Sequence, residues 1–214
     1  MSKIWDISPF IDEHSEVFPG DSQFSQTQHF QLSPQCPVNV HSITLSPHTG
    51  AHADAPLHYA NHQAAIGHVE LTPYLGRCRV IECMNSGELV LPEHIGHELS
   101  QLPPRILLKT SVKASQSWQS FCAIAPSTLE LILKSIQQQQ NHPNFLLIGI
   151  DTPSIDPSNS FNLPSHQFLL QNNCRVLENL VLDEVPSGDY ELIALPLKLR
   201  HADASPVRAI LRSL

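Results

Sequence analysis

Nowhere does the chain reach the run of about 18 apolar residues that a membrane-crossing helix needs. Its start, Met1-Ser2-Lys3-Ile4-Trp5-Asp6, also lacks the apolar stretch of a secretory signal. A soluble, cytoplasmic protein with no membrane partner is therefore expected. Basic charge is scarce as well: 12 Lys and Arg stand against 20 Asp and Glu, for a formal charge of −8, and no block of like charge occurs. That balance offers a polyanion nothing to bind, so nucleic acid is not an expected partner. The five cysteines (Cys36, Cys78, Cys83, Cys122, Cys174) are odd in number, scattered and free of any Cys-x-x-Cys pair. This argues against a disulfide framework and a thiolate zinc site, and suggests buried free thiols. Internal repeats are also missing, while 214 residues suffice to bury a substantial core. The expectation is one domain over residues 1–214.

Histidine is what the chain has in excess, its 13 residues outnumbering Lys and Arg together. The densest stretch is His48-Thr49-Gly50-Ala51-His52-Ala53-Asp54-Ala55-Pro56-Leu57-His58, which reads as a metal site because His-x3-His-x-Asp-x3-His has ligand spacing throughout. A separation of four would put His48 and His52 on one face of a helix. Gly50 and Pro56 weaken a helix, however, and an extended strand would hold the two imidazoles too far apart to share an ion. The sequence therefore predicts a tight bend at Gly50. Imidazole plus carboxylate without thiolate suits Zn, Mn, Fe or Ni and disfavours the all-oxygen shells of Ca and Mg, with zinc the default. The bland alternative is a set of separate loop histidines satisfied by backbone and water.

Along the chain, Ile4 to Ile7 can open a short strand, and Phe18-Pro19-Gly20-Asp21 marks a turn that presents Phe18 either as a packing plug or as a ligand contact. Val40 to Leu45 alternates as a strand leading to the metal stretch, which would give the ligands a rigid base. Arg79 to Ile81 and Arg105 to Leu108 read as buried strands, with a short helix at Pro92 to Ile95 between them. The clearest helix has Leu129, Ile132, Leu133 and Ile136 at helical spacing, with Ser127 and Glu130 placed to form a capping box. Gln137 to Gln140 would extend it until Asn141 and Pro143 stop it. Phe145 to Ile150 reads as a buried strand feeding a second site segment, since His166 and Glu178 lie beyond. Glu178 sits in Val176-Leu177-Glu178-Asn179-Leu180 and is either a ligand or the exposed residue of a half-solvated strand. Leu192 to Leu199 and Val207 to Leu211 close the chain as strands, giving a mixed α/β domain.

These residues together resemble the cyclase family of metal hydrolases, and within it the bacterial-type kynurenine formamidases (arylformamidases). The resemblance spans nearly the whole chain. It is carried by Trp5-Asp6-Ile7-Ser8, Phe18-Pro19-Gly20-Asp21, Cys36-Pro37-Val38-Asn39-Val40, Ser46-Pro47-His48 through His58-Tyr59, Gly149-Ile150-Asp151-Thr152-Pro153-Ser154, and Leu195-Pro196-Leu197-Lys198 through Asp203-Ala204-Ser205-Pro206-Val207-Arg208. It implies an α/β, mixed-sheet single domain of the cyclase-type swivelling β/β/α fold, and a homodimer. It further implies a binuclear zinc site with ligands His48, His52, Asp54, His166 and Glu178, Asp54 bridging, and His58 as catalytic acid/base. Where the family loop has Trp before Pro-Gly-Asp, this chain has Phe18, a substrate-contact position that keeps a stacking face and loses the indole N–H.

The implied activity is hydrolysis of the small molecule N-formyl-L-kynurenine to L-kynurenine and formate in tryptophan degradation, by a metal-activated water and with no Ser or Cys nucleophile. Two other readings stand beside it. One keeps the metal site but acts on another amide or lactam, such as isatin-type rings. The other is a non-catalytic zinc-binding protein.

Overall fold

The computed structural model describes residues 2–139 and 145–214. Its strands are β1 (Ile4–Asp6), β2 (Ser25–Phe30), β3 (Val40–Thr44), β4 (His52–Asp54), β5 (Leu75–Glu82), β6 (Leu89–Val90), β7 (Arg105–Lys109), β8 (Ala123–Ile124), β9 (Leu147–Ile150), β10 (Arg175–Glu178), β11 (Gly188–Ile193), β12 (Ala204–Pro206) and β13 (Ile210–Ser213). The helices are α1 (Pro56–Tyr59), α2 (Pro92–Ile95), α3 (Pro126–Gln137) and α4 (Pro164–Gln171). Nine strands form one mixed sheet in the order β1-β13-β11-β5-β7-β9-β10-β4-β12. Its centre, β5-β7-β9-β10, is parallel, and both flanks are antiparallel. The fold class is thus the expected mixed α/β. Among the described residues no helix is long and apolar enough to cross a membrane.

Parallel strands covered on both faces need apolar residues throughout, and β7, β9 and β10 are buried at every position. Their side chains alternate between two cores. Leu107, Leu147 and Leu177 join one cluster with Ile7, Leu180 and Val207, while Ile106, Ile148 and Val176 join another. That second cluster is covered by Leu129, Ile132 and Ile136 of α3 and Leu169 of α4. Two charged residues of the buried strands find backbone acceptors: Arg105 donates to the carbonyls of Pro73 (2.7 Å) and Thr72, and Lys109 to those of Asp183 (3.1 Å) and Val185 (3.2 Å). The cysteines are free thiols, as expected, three buried and two half-buried.

Several sequence expectations shift. Helix α3 begins at Pro126, whose fixed φ suits a first helical position, and its N-cap Ala125 makes no side-chain bond, so the Ser127–Glu130 capping box does not form. Glu130 instead pairs with Lys134 one turn on, at 2.6 Å. The helix ends at Gln137, and the expected stop at Asn141 and Pro143 lies outside the described residues. Strand β3 exists, but it pairs with β2 in a separate exposed hairpin and is no base for the ligands. The strand expected over Leu192 to Leu199 ends at Ile193, beyond which Pro196 has no N–H to donate and Leu197 donates its own to the Ser205 hydroxyl. The strand expected over Val207 to Leu211 is displaced to Ile210–Ser213, with β12 preceding it.

The bend at Gly50 is present and has φ +66°, the left-handed region that favours glycine. A Cβ there would also lie 2.8 Å from Ile11 Cγ1. Gly50→Ala is therefore expected to lower unfolding free energy by about 1 to 3 kcal/mol. Chemical denaturation reads this directly, and an unchanged midpoint would show that the bend tolerates a side chain.

Candidate functional site

Strand β4 places the centre of the site. Alternation along a strand sends His52 and Asp54 to one face, and the antiparallel register sets Glu178 of β10 directly opposite His52. All three point to the helix-covered face, where α4 brings His166 within reach of both carboxylates. Ahead of β4, the Gly50 bend turns His48 back toward Asp54. Behind it, Pro56 starts α1, which presents His58 at the pocket edge.

The distances form two groups that share Asp54. His48 Nδ1 lies 3.0 Å and His52 Nε2 3.5 Å from Asp54 Oδ1, while His166 Nε2 lies 3.5 Å from Asp54 Oδ2 and 3.4 Å from Glu178 Oε1. His52 Nε2 also stands 3.2 Å from Glu178 Oε2. His48, His52 and Asp54 can offer three donor atoms to one ion, and Asp54, His166 and Glu178 three to another. Neither oxygen of the buried Asp54, nor Nε2 of the buried His166, has a hydrogen-bond partner among the described residues. Buried polar atoms without partners are costly, and here they converge. The donor set therefore fits a metal centre. Glu178 is 3% exposed, which removes the half-solvated alternative.

The outward nitrogens of these imidazoles are tied to other parts of the chain. His52 Nδ1 donates to the Gly50 carbonyl at 2.9 Å, and His166 Nδ1 to Asp156 Oδ2 at 2.8 Å. Asp156 also accepts the N–H of Ser165 and of His166 at the start of α4, both at 3.0 Å. Asp203 Oδ2 accepts from His58 Nδ1 at 2.9 Å and from His48 Nε2 at 3.1 Å. Glu178 Oε1 accepts the Ile155 N–H at 2.8 Å. Locking the far nitrogen fixes ring and tautomer, so the near nitrogen presents a lone pair inward.

Electrostatics follow from burying carboxylates together. Burial alone would raise Asp54, but His48, His166 and His52 hold it well below the carboxylate range. Burial and the Asp54 charge push Glu178 up, yet His166 and His52 overcome both and hold it at about 2. Burial would lower the His48 imidazole, and the Asp54 and Asp203 carboxylates instead raise it to about 10. His166 likewise stands well above its ordinary value, with Asp156, Asp54 and Glu178 outweighing its burial. Without another cation, protons on His48 and His166 offset the buried carboxylates.

A cavity of about 550 Å³ opens above the cluster, with Phe18 and Trp118 among its walls. Phe18 is 47% exposed and meets Trp118 edge to face, ring centroids 5.1 Å apart. Six of the seven residues singled out from the sequence line this space, and the seventh, Asp54, lies behind them against His48, His52 and His166. Three were missed. Asp156 and Asp203 are loop residues whose partners lie far along the chain or across a turn, and Trp118 sits in a polar loop whose other aromatic, Phe121, packs against it. The signal available for Asp203 was its place in the Asp203-Ala204-Ser205-Pro206 run.

Known proteins resemble this chain in sequence and in fold. The protein named Kynurenine formamidase from Polaromonas naphthalenivorans (strain CJ2) is 68% identical over 212 residues, covering 99% of this chain and 92% of that one. The solved structure of a predicted metal-dependent hydrolase from Bacillus stearothermophilus has a TM-score of 0.82 at 25% identity, with each chain covered fully. Isatin hydrolase A from Labrenzia aggregata has a TM-score of 0.79 at 20% identity over 99% of this chain and 94% of that one, a likeness of fold alone. The Cyclase family model matches residues 5–157, a span that includes His48, His52, Asp54 and His58, and on that match and the relative's identity the chain belongs to the Cyclase family.

Proposed function

We propose that this chain hydrolyses N-formyl-L-kynurenine to L-kynurenine and formate, as a metal-dependent amide hydrolase. The observation that carries the reading is 68% identity, over almost the full length of both chains, to a protein named Kynurenine formamidase. Support for the metal comes from the two donor groups around the unpartnered Asp54. In this reading His48, His52, Asp54, His166 and Glu178 would hold two zinc ions per subunit. Bound there, the metal would supply a water of lowered pKa, about 7, and polarisation of the carbonyl under attack.

The chain's own residues do the rest. His58 is not part of either donor group around Asp54, and its Nε2 faces Asp54 Oδ2 from 4.0 Å. It accepts a proton from the attacking water as the water oxygen bonds to the formyl carbon. It then delivers that proton to the aniline nitrogen as the C–N bond breaks, a nitrogen that leaves poorly as an anion. Phe18 and Trp118 line the mouth with ring faces and edges that suit the substrate's aryl group. The isatin-type alternative draws support from fold alone. A cytoplasmic homodimer belongs to the same reading: the β2–β3 hairpin exposes Phe30, Val40 and Ile43, apolar surface that a second copy would cover.

Three measurements test the reading. The metal-loaded protein should release formate from N-formyl-L-kynurenine, lose this activity on chelation and regain it with zinc; a zinc-replete, folded protein without turnover overturns the function. Next, Phe18→Ala should raise KM by at most about tenfold with a smaller change in kcat, because an aromatic contact contributes about 0.5 to 1.5 kcal/mol beyond its area. An unchanged KM would remove Phe18 from substrate binding.

The third concerns pH. In metal-free protein His48 is raised to about 10. Its stabilisation is complete below the unfolded value of about 6.5 and lost as pH rises through the folded one. Glu178, held at about 2, stabilises above the unfolded value and loses that effect as pH falls toward 2. Chelated protein should therefore melt at falling temperature above neutrality. Metal binding needs neutral imidazoles, so the stabilisation gained on adding zinc should grow over the same interval. Parallel melting curves with and without zinc across that range would contradict a site built on these imidazoles.

A further inference from the structure

Asp203 is the one carboxylate, among the described residues, whose single oxygen serves both an imidazole around Asp54 and the imidazole outside that set. Its Oδ2 lies 3.1 Å from His48 Nε2 and 2.9 Å from His58 Nδ1. The two rings are thereby held 4.2 Å apart at a 47° tilt. An acceptor at these nitrogens keeps both protons on the outer edge. With a cation bound in place of the inner protons, the inward nitrogens, His48 Nδ1 at 3.0 Å from Asp54 Oδ1 and His58 Nε2 at 4.0 Å from Asp54 Oδ2, would each offer a lone pair. A neutral imidazole free of such a partner can carry its proton on either nitrogen, and with the proton on Nε2 His58 could not accept another from water.

The carboxylate is itself well placed to do this. The Asp203 carbonyl accepts the N–H of Ala55, the residue that opens α1 and so leads to His58, at 2.8 Å. Its neighbour Ala204 pairs with Asp54 across the β12–β4 ladder. The loop therefore moves with the strand that carries the buried carboxylate and with the helix that carries His58. By contrast, the other two imidazoles of the cluster have separate anchors, the Gly50 carbonyl and Asp156.

We propose that Asp203 is a positioning residue that sets the tautomer and ring orientation of His48 and His58 together, coupling the metal-holding half of the site to the proton-carrying half. This rests on the roles given to His48 and His58 above. Asp203→Asn keeps the shape but replaces one acceptor oxygen by an amino group, and the side chain is partly exposed, so no unpaired charge is left buried. In zinc-saturated full-length protein, kcat for N-formyl-L-kynurenine should fall about 10- to 100-fold with KM nearly constant, and affinity for zinc, read by chelator competition, should weaken about 10- to 100-fold. In a His58→Ala background the same substitution should cost no further kcat, while the weaker zinc affinity should persist through His48. Long-range ¹⁵N–¹H spectra of the zinc-loaded protein should show His58 protonated on Nδ1 in the parent and mixed between nitrogens in Asp203→Asn. Unchanged kcat and zinc affinity would overturn the proposal, as would a kcat loss that survives in full without His58 or an unaltered His58 tautomer. Should the parent protein fail to hydrolyse N-formyl-L-kynurenine, the functional reading falls, whereas the tautomer and zinc-affinity arms still decide the role of Asp203.

Discussion

Two carboxylates buried side by side, Asp54 and Glu178, are the constraint from which the rest of the structure follows. Each is almost fully removed from water, and they sit on the same face of adjacent strands. An isolated ionised carboxylate in such a place costs several kcal/mol, and a second of the same sign beside it adds to that cost. Positive charge must therefore be supplied locally. Three imidazoles converge on the pair, and they can supply it either as bound protons or by giving lone pairs to metal ions. The raised His48 and His166 and the depressed Glu178 are the signature of the first state. Such a site can exchange those protons for cations, because the ring nitrogens that carry them already face shared space.

Rigidity is distributed to match. The carboxylates and His52 come from strands, whose register leaves them no freedom to drift. β10 is buried throughout and paired to both neighbours. His48, His58 and His166 come from a bend, a one-turn helix and a longer helix, each of which could rotate its side chain away. At these positions a carboxylate holds the outer nitrogen, Asp203 for two of them and Asp156 for the third, whereas the outer nitrogen of the strand residue His52 is held by the Gly50 carbonyl. Order at the site is thus supplied by backbone where backbone is rigid and by carboxylates where it is not.

How much of this could be read in advance depended on whether the signal was periodic or local. The central strands were legible because parallel strands buried on both faces are apolar in near-continuous runs, as at Ile106 to Leu108 and Phe145 to Ile150. The bend at Gly50 was legible because neither helix nor strand accommodates that spacing with glycine between. Helix α3 was legible in its apolar face and not in its start: Ser127 and Glu130 have the letters of a capping box, but Pro126 already occupies the first helical position. Leu192 to Leu199 reads as a strand by composition, while Pro196 and the Ser205 hydroxyl divert the backbone. In the site, the close-spaced histidines announced themselves, whereas Asp203 acts on residues that precede it by 145 and 155 positions. No window on the sequence contains both ends of such a bond.

The same division bears on selectivity. Charge balance at Asp54 and Glu178 is settled within the sheet and its immediate imidazoles, and none of those contacts involves the loops carrying Phe18 and Trp118. Rim residues can consequently change size and polarity without disturbing the buried carboxylates, since the penalty for miscompensated charge is felt only at the floor. A protein named for isatin hydrolysis shares this fold at 20% identity, which is what such independence permits. The Phe18–Trp118 pair is held edge to face. Phe18 brings ring surface to the mouth, and Trp118 brings ring surface with an indole N–H. Under the function proposed above, discrimination between aryl amides would come from how a ring fits between Phe18 and Trp118, while the bond broken would be decided below them, beside His58 and the buried carboxylate.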